Sequence, residues 1–222
     1  MLLAIDTSTR VVGVALYDGV QVISEAVWIT QDYHTVELAP AVDQTLSKSD
    51  IKISDINAIA IARGPGSYTG LRIGLAFVKG LSLIGQKPLI GIPTFDILAA
   101  SQPVVDKQMV TVLRAGRGRL ATGWYRPNRD EWESMGKTEV ITPKELSAQI
   151  IKPTLVCGEL TADERRLLGR KRKKVVLTSP AQSIRRPSFL AELGWERLLS
   201  DRVDDTETLS PIYLHQNNPI PG

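Results

Sequence analysis

Cysteine, histidine and long apolar runs are scarce in this chain of 222 residues, and each shortage excludes a class of protein. A single cysteine, Cys157, excludes an intramolecular disulfide and any metal site built from several thiolates. No apolar run approaches the roughly 20 residues that a membrane helix needs. The N-terminal segment 1–10 has neither the basic start nor the small-residue cleavage site of an export signal. We therefore expect a cytoplasmic protein that has no contact with a membrane.

Charge is distributed unevenly, although the net charge is only +3. Residues 1–102 contain 7 Lys and Arg against 9 Asp and Glu, whereas residues 103–222 contain 20 against 15. Much of the excess lies in Arg165–Lys174, where seven residues are basic. Such a run usually belongs to a solvated helix end or loop, and contact with a nucleic acid is the alternative.

The hydrophobic pattern of the first half predicts three strands followed by alternating helices and strands. Apolar runs of strand type, with a hairpin signal at Asp18-Gly19, cover 2–6, 13–18, 20–29, 56–62 and 88–92. Helical periodicity and capping residues predict helices over 33–47, 68–84 and 94–100. This order describes an α/β domain with a mixed sheet and helices on its faces.

The character of the chain changes near Pro103, which predicts one subdomain over 1–102 and a smaller, degenerate one over 103–222. In the second segment, strands are expected at 109–113, 120–125, 154–158 and 174–178, and helices at 143–151, 161–168 and 188–199. The basic loop Arg114–Arg119 separates the first two of these strands.

Two segments of the first half have residues suited to binding phosphate. A carboxylate such as Asp6 can hold a hydrated hard cation, and the hydroxyls and amides that follow it can bind phosphate oxygens. The glycine-rich loop before the helix at 68 offers a second anion site, although it lacks the GK[ST] ending of a P-loop. The residues expected to contact a nucleotide or phosphate are Asp6, Thr7, Ser8, Gly66 and Ser67. The alternative is that Asp6 and Thr7 satisfy backbone groups of their own turn.

The helix that follows this loop has glycines one turn apart on its apolar face, at Gly70 and Gly74. A glycine inside a helix costs about 1 kcal/mol relative to alanine, so its missing side chain should bring a gain. Close packing against the chain's own sheet or against another subunit supplies that gain.

Three stretches are distinctive in combination: the opening LLAIDTST, the unbroken RGPGSYTGLRIGLAFVKGLS at 63–82, and the closing Pro211–Leu214. Together they resemble the TsaB (YeaZ) family, which takes part in making threonylcarbamoyladenosine on tRNA. The resemblance implies the actin-like (ASKHA) ATPase architecture, with a βββαβαβα N-terminal unit and a reduced second unit. It also implies a non-catalytic paralogue and scaffold of TsaD, the catalytic subunit.

The implied partners are a TsaD-like subunit, which the chain would bind and activate, a TsaE-like ATPase, and a second copy of the chain in a homodimer. The complex installs threonylcarbamoyl on N6 of adenosine 37 in tRNAs that read ANN codons, and the chain would reach tRNA only indirectly. The residues expected at the partner interface are Leu38, Val42, Gly70, Leu71, Gly74, Phe77 and Val78.

No catalytic or metal-binding residue is predicted. Catalytic relatives have two helix histidines at i and i+4, but the position four residues after His34 is Leu38, and His215 lies in the tail. We therefore expect no activity from the chain alone and no resident cofactor, with ATP bound only weakly or at the junction with TsaD. The alternative function is an ATP-binding or ATP-hydrolysing enzyme of the ASKHA class that uses Asp6.

The loop at 114–119 departs from the family, whose relatives usually show D-A-R-x-G-E there. Arginine replaces both acids, at Arg114 and Arg119. The two arginines repel a Mg²⁺ ion but still attract phosphate. Direct binding of tRNA through this loop and Arg165–Lys174 is a third hypothesis, ranked below scaffolding because no aromatic residues are interleaved with the basic ones.

Overall fold

The computed structural model describes residues 1–31 and 34–214, apart from the side chain of His34. The chain divides into two compact units. The first unit contains Met1–Ile97 and Arg185–Ile212, and the second contains Leu98–Ile184 together with Tyr213 and Leu214. Within the described residues, no helix has the length and apolar character needed to cross a membrane.

The first unit is built on a five-stranded mixed sheet with the strand order β3-β2-β1-β4-β5. Strands β1, β2 and β3 are antiparallel neighbours, and β4 and β5 run parallel to β1. The elements, in chain order, are β1 (Leu2–Asp6), β2 (Val11–Tyr17), β3 (Val22–Ile29), α1 (His34–Lys48), β4 (Ala58–Ala62), α2 (Tyr68–Gly85), β5 (Leu89–Ile92) and α3 (Thr94–Ala100). The predicted βββαβαβα order is confirmed.

The central strand β1 is buried on both faces, as its continuous apolar run requires. Alternate residues of a strand point to opposite sides, so Leu3 and Ile5 pack with the apolar faces of α1 and α2. Leu2 and Ala4 face the other side, where they pack against Leu190 of a helix near the end of the chain.

The second unit repeats this arrangement, with a sheet in the order β10-β9-β6-β7-β8. Its elements are β6 (Gln108–Arg114), β7 (Leu120–Asn128), β8 (Glu131–Ile141), α4 (Pro143–Gln149), β9 (Thr154–Gly158), α5 (Ala162–Gly169) and β10 (Val175–Leu177). Strand β8 is an edge strand that the sequence did not predict, because most of its side chains are exposed and its residues show no apolar alternation. The matching strand order confirms a reduced second unit.

The last helix, α6 (Pro187–Leu199), packs on the first sheet, whereas the predicted boundary after residue 102 placed it with the second segment. Two glycines allow α6 to pack closely on this sheet. A Cβ on Gly194 would lie 2.7 Å from Ala60 Cβ, and a Cβ on Gly13 would lie 2.9 Å from the ring of Pro187. The helix therefore approaches the sheet too closely for larger residues at these points.

Two of the glycines of α2, Gly74 and Gly80, provide a matched test of its packing. A Cβ on Gly74 would lie 2.1 Å from Thr7 Oγ1, whereas a Cβ on Gly80 would have no neighbour within 4 Å. Gly74→Ala should lower the free energy of unfolding by about 1–3 kcal/mol through overpacking. Gly80→Ala should raise it by about 0.5–1 kcal/mol, because alanine is the better helix former. Urea denaturation measures both, and equal effects would contradict the packing role of Gly74.

A second test concerns Glu25, which accepts hydrogen bonds from Arg186 Nε at 2.9 Å and Ser188 N at 3.0 Å at the start of α6. Burial alone would raise the pKa of Glu25, but these bonds outweigh it and lower the pKa below its usual value. A lowered pKa means that the stabilisation is complete above the unfolded value, about 4.3, and is lost as pH falls through the folded value.

Glu25→Gln should therefore lower the free energy of unfolding by about 1.5–3 kcal/mol at neutral pH, the range for hydrogen bonds to a charged group. The difference from wild type should vanish on acidification, which thermal unfolding from pH 7 to pH 3 will show. Glu133→Gln is the control, because its ion pair with Arg126 is solvent-exposed and should contribute little. A difference that persists unchanged at low pH would contradict this assignment.

Candidate functional site

The predicted phosphate site is centred on Asp6, whose carboxylate lies at the end of β1. One oxygen, Oδ1, accepts hydrogen bonds from Ser8 N at 2.8 Å and Ser8 Oγ at 2.6 Å. The other oxygen, Oδ2, forms an ion pair with Nε of Arg185. Asp6 is 1 % exposed and Arg185 is 2 % exposed, so this is a fully buried pair. Both oxygens of Asp6 already accept from groups of the same chain.

Arg185 also connects the turn that follows β1. Its Nη2 donates to Thr9 Oγ1 at 2.8 Å and to the carbonyl oxygen of Val11 at 3.0 Å. The sequence reasoning missed this residue, because Arg185 lies far from Asp6 in the chain and has no local motif. A magnesium ion at Asp6 would have to displace this guanidinium.

The structure brings the two predicted phosphate segments together. Ser67 N donates to the carbonyl oxygen of Ser8 at 2.6 Å, and a Cβ on Gly66 would lie 2.0 Å from that same oxygen. Ser67 also caps α2, since its side chain accepts from Gly70 N at 3.3 Å. Thr7 Oγ1 donates to the carbonyl oxygen of Gly70 at 2.8 Å. These polar groups hold the loop against the turn, and Thr7 bonds to a carbonyl group of α2 and not to a backbone group of its own turn.

The closing motif Pro211–Leu214 reaches the same loop. Ile212 N donates to the carbonyl oxygen of Arg63 at 2.7 Å, and a Cβ on Gly64 would lie 2.5 Å from the carbonyl oxygen of Ile212. Gly64 has φ +104°, a conformation that favours glycine. Two motifs distant in sequence therefore form one packed structure.

Six of the seven residues expected at a partner interface are buried inside the first unit, and only Phe77 is partly exposed. Helical periodicity identified their shared apolar face correctly, but that face packs on the chain's own sheet. The outward sides of the same helices carry other apolar residues. Val36 on α1 is 67 % exposed and Ile84 on α2 is 88 % exposed.

The described residues contain no group of three His, Cys, Asp or Glu side chains placed to hold a metal ion. Burial raises the pKa of the Cys157 thiol to about 12, so a reactive thiolate does not form there near neutral pH. His215 and the side chain of His34 lie outside the described residues.

The two basic segments of the second half lie at opposite ends of the second sheet. Arg114 is the last residue of β6, so the turn to Arg119 follows the carboxyl end of that strand. The basic residues 170–174 precede β10, which runs parallel to β6 through β9, and therefore lie at the amino end. Arg165 and Arg166 are engaged elsewhere, with the carbonyl oxygen of Thr178 and the carboxylate of Asp163.

Comparison with known proteins places these observations in a family. The family model described as "TsaD: tRNA N6-adenosine threonylcarbamoyltransferase" matches residues 28–175. The chain is 31 % identical to the tRNA threonylcarbamoyladenosine biosynthesis protein TsaB of Bacillus subtilis over 220 residues, which cover 96 % of this chain and 93 % of the relative. Identity to the TsaB of Haemophilus influenzae is 38 % over 223 residues, covering 96 % and 92 %.

A solved structure gives the same result at the level of the fold. YeaZ from Pseudomonas aeruginosa superimposes with a TM-score of 0.77 at 24 % identity, covering 96 % of this chain and 99 % of that chain. The motifs at 2–9, 63–82 and 211–214 thus occur in a chain whose sequence and fold both match these relatives over nearly their whole length. The chain belongs to the TsaB (YeaZ) family of tRNA threonylcarbamoyladenosine biosynthesis proteins.

Proposed function

We propose that this chain is a non-catalytic subunit that binds and activates a TsaD-type transferase during threonylcarbamoylation of adenosine 37 in tRNA. The observation that carries the proposal is the buried pair of Asp6 and Arg185, at the strand end where an ATPase of this architecture holds its cation and phosphates. In this chain the guanidinium of Arg185 lies at that place, so the positive charge that neutralises Asp6 comes from the chain itself. Membership of the TsaB family supports the same function.

The pair also argues against the alternative function, an ATP-hydrolysing enzyme that uses Asp6. Carboxylates bind Mg²⁺ through free oxygen lone pairs. Both oxygens of Asp6 already accept from donors of the chain, namely Ser8 and Arg185. Removing one member of a buried ion pair typically costs about 3–5 kcal/mol, so cation binding would carry that cost.

The outward sides of α1 and α2 are the surface that we assign to the partner. Val36, Ala39 and Pro40 form an exposed apolar strip on α1, while Phe77, Gly80 and Ile84 share one side of α2. The two helices contact each other, and we assign both strips to one partner surface. Gly80 has open space above it, which permits close approach by another helix.

Reconstitution tests the function. Adding the chain to a TsaD-type transferase and a TsaE-type ATPase from the same organism should raise the rate of tRNA modification at least about tenfold, or about 1.4 kcal/mol in activation free energy. The chain alone should transfer no threonylcarbamoyl group. Incorporation of labelled threonine into an unmodified transcript that reads an ANN codon measures the reaction. Equal modification without the chain would overturn the proposal.

Gly80→Arg tests the surface. The arginine would project into open space in the isolated chain, so folding should be retained, but it would obstruct a partner helix. Affinity for the transferase should fall at least about tenfold, equivalent to about 1.4 kcal/mol. Size-exclusion chromatography with light scattering measures the complex.

Val20→Arg is the matched control, because Val20 is 84 % exposed in the turn between β2 and β3. It adds the same charge to the first unit at a site away from α1 and α2. Unchanged transferase binding by Gly80→Arg, or equal loss in both variants, would remove this surface from the proposal.

A further inference from the structure

The parallel register of the second sheet brings three separate segments to one edge. Gln108 of β6 lies beside Thr154 of β9, which lies beside Val175 of β10. Each of these residues is the first of its strand, and neighbouring strands are about 4.8 Å apart. The residues immediately before the strands therefore lie side by side, although they are far apart in the sequence.

Basic residues occupy these positions in all three segments. Lys107 precedes β6, Lys152 lies two residues before β9, and the run 170–174 (Arg-Lys-Arg-Lys-Lys) leads into β10. We call these seven residues the basic edge. Thr154 N donates to the carbonyl oxygen of Lys174 at 2.8 Å, which ties two of the segments together.

Backbone hydrogen bonds hold the run in a turn of fixed shape. Lys174 N donates to the carbonyl oxygen of Lys171 at 2.8 Å, and Val175 N donates to the same oxygen at 2.9 Å. The ammonium group of Lys171 bonds to the carbonyl oxygen of Ser147 in α4. The turn is therefore anchored at one lysine, while Arg170 and the residues 172–174 are exposed to solvent.

The other six side chains of the basic edge have no carboxylate partner among the described residues. Arg165 and Arg166, in contrast, are bonded to Thr178 and Asp163. Asp106 adjoins Lys107 in the sequence, and Asp130 and Glu131, at the turn between β7 and β8, lie at the same end of the sheet. The seven positive charges of the basic edge outnumber these three acids. Like charges on adjoining segments repel one another, and a polyanion relieves that repulsion by replacing many separate counterions.

We infer that the basic edge binds the phosphate backbone of RNA, so that the chain contacts tRNA directly and not only through its partners. If the run 170–174 were only a solvated helix end, nothing would require Lys107 and Lys152 to lie beside it. A membrane surface would require a cluster of exposed apolar anchors, and among the described residues the three segments adjoin only Ile151 and Val176. The choice of RNA over an acidic peptide rests on the proposed function.

Phosphate contact without base recognition is the expected mode. No aromatic side chain lies within the three segments, so bases have no stacking platform there. Binding should be tolerant of sequence and steeply dependent on salt, because each neutralised phosphate releases bound counterions.

The turn at the opposite end of the sheet supplies a matched control. Arg114, Arg117 and Arg119 also have no side-chain partner among the described residues, and they lie at the carboxyl end of β6. R172Q/K173Q/K174Q and R114Q/R117Q/R119Q each remove three positive charges from exposed or partly exposed positions of the same unit. Only R172Q/K173Q/K174Q removes positive charges from the basic edge.

The experiment is fluorescence anisotropy of a labelled, unmodified tRNA transcript titrated with the full chain. R172Q/K173Q/K174Q should lower affinity at least about tenfold near 0.1 M salt and reduce the salt slope by about three. K107Q/K152Q should also weaken binding, since the edge is assembled from separate segments. The control R114Q/R117Q/R119Q should stay within about twofold of wild type, and thermal unfolding should confirm that all variants are folded.

Three results would overturn the inference. They are equal weakening by the control variant, an unchanged affinity in K107Q/K152Q, and wild-type binding that is flat in salt. Tighter binding of a polyglutamate peptide or of phosphatidylserine vesicles than of tRNA would assign the edge to another partner. Reconstitution with the transferase separates the two proposals, because a chain that activates modification without binding tRNA itself refutes only this one.

Discussion

The first unit depends on one buried ion pair, between Asp6 at the end of β1 and Arg185 just before α6. A charged carboxylate without access to water needs a compensating charge, and breaking such a pair costs about 3–5 kcal/mol. The partner is separated from it by 179 positions in the chain, so it is available only after the chain has passed through the second unit and returned. The same guanidinium holds Thr9 and Val11, and α6 then covers the sheet face formed by Leu2 and Ala4. The residue that neutralises Asp6 therefore stands directly before the helix that completes the core.

This constraint has a consequence for function. In the actin-like ATPase architecture the first strand end is where an acidic residue would meet a cation and phosphates, and here that position supports the fold. The adjacent loop also packs against the chain itself. Ser67 N donates to the carbonyl oxygen of Ser8, and Gly66 lies so close to the same oxygen that a side chain would not fit. In a protein organised in this way, the groups that can still bind other molecules lie on the outer surfaces. The exposed strips on α1 and α2 and the basic edge are such surfaces, which is why both proposals concern partners.

The sequence was sufficient for elements whose signals are local. The apolar run of β1 and the capping residue before the helix at 68 each predicted an element that the structure contains. Strand β8 was missed because an exposed edge strand is specified by its neighbour and not by its own apolar pattern. Arg185 was missed because no local spacing relates it to Asp6. Periodicity found the apolar face of α2, but it cannot distinguish a face that packs on the chain's own sheet from one that meets another subunit.

The two sheets share a strand order, yet they differ in which end carries charge. In open α/β sheets, ligands usually bind beyond the carboxyl ends of the parallel strands, where the following loops form a crevice. In the first unit that end is closed by Asp6, Arg185 and the loop at 64–67. In the second unit the largest group of unpaired cations in the described part of the chain lies at the amino ends, before β6, β9 and β10. A broad polyanion needs no such crevice, since a phosphate backbone can lie across the aligned strand starts. The position of the charge therefore favours a macromolecular ligand over a small one.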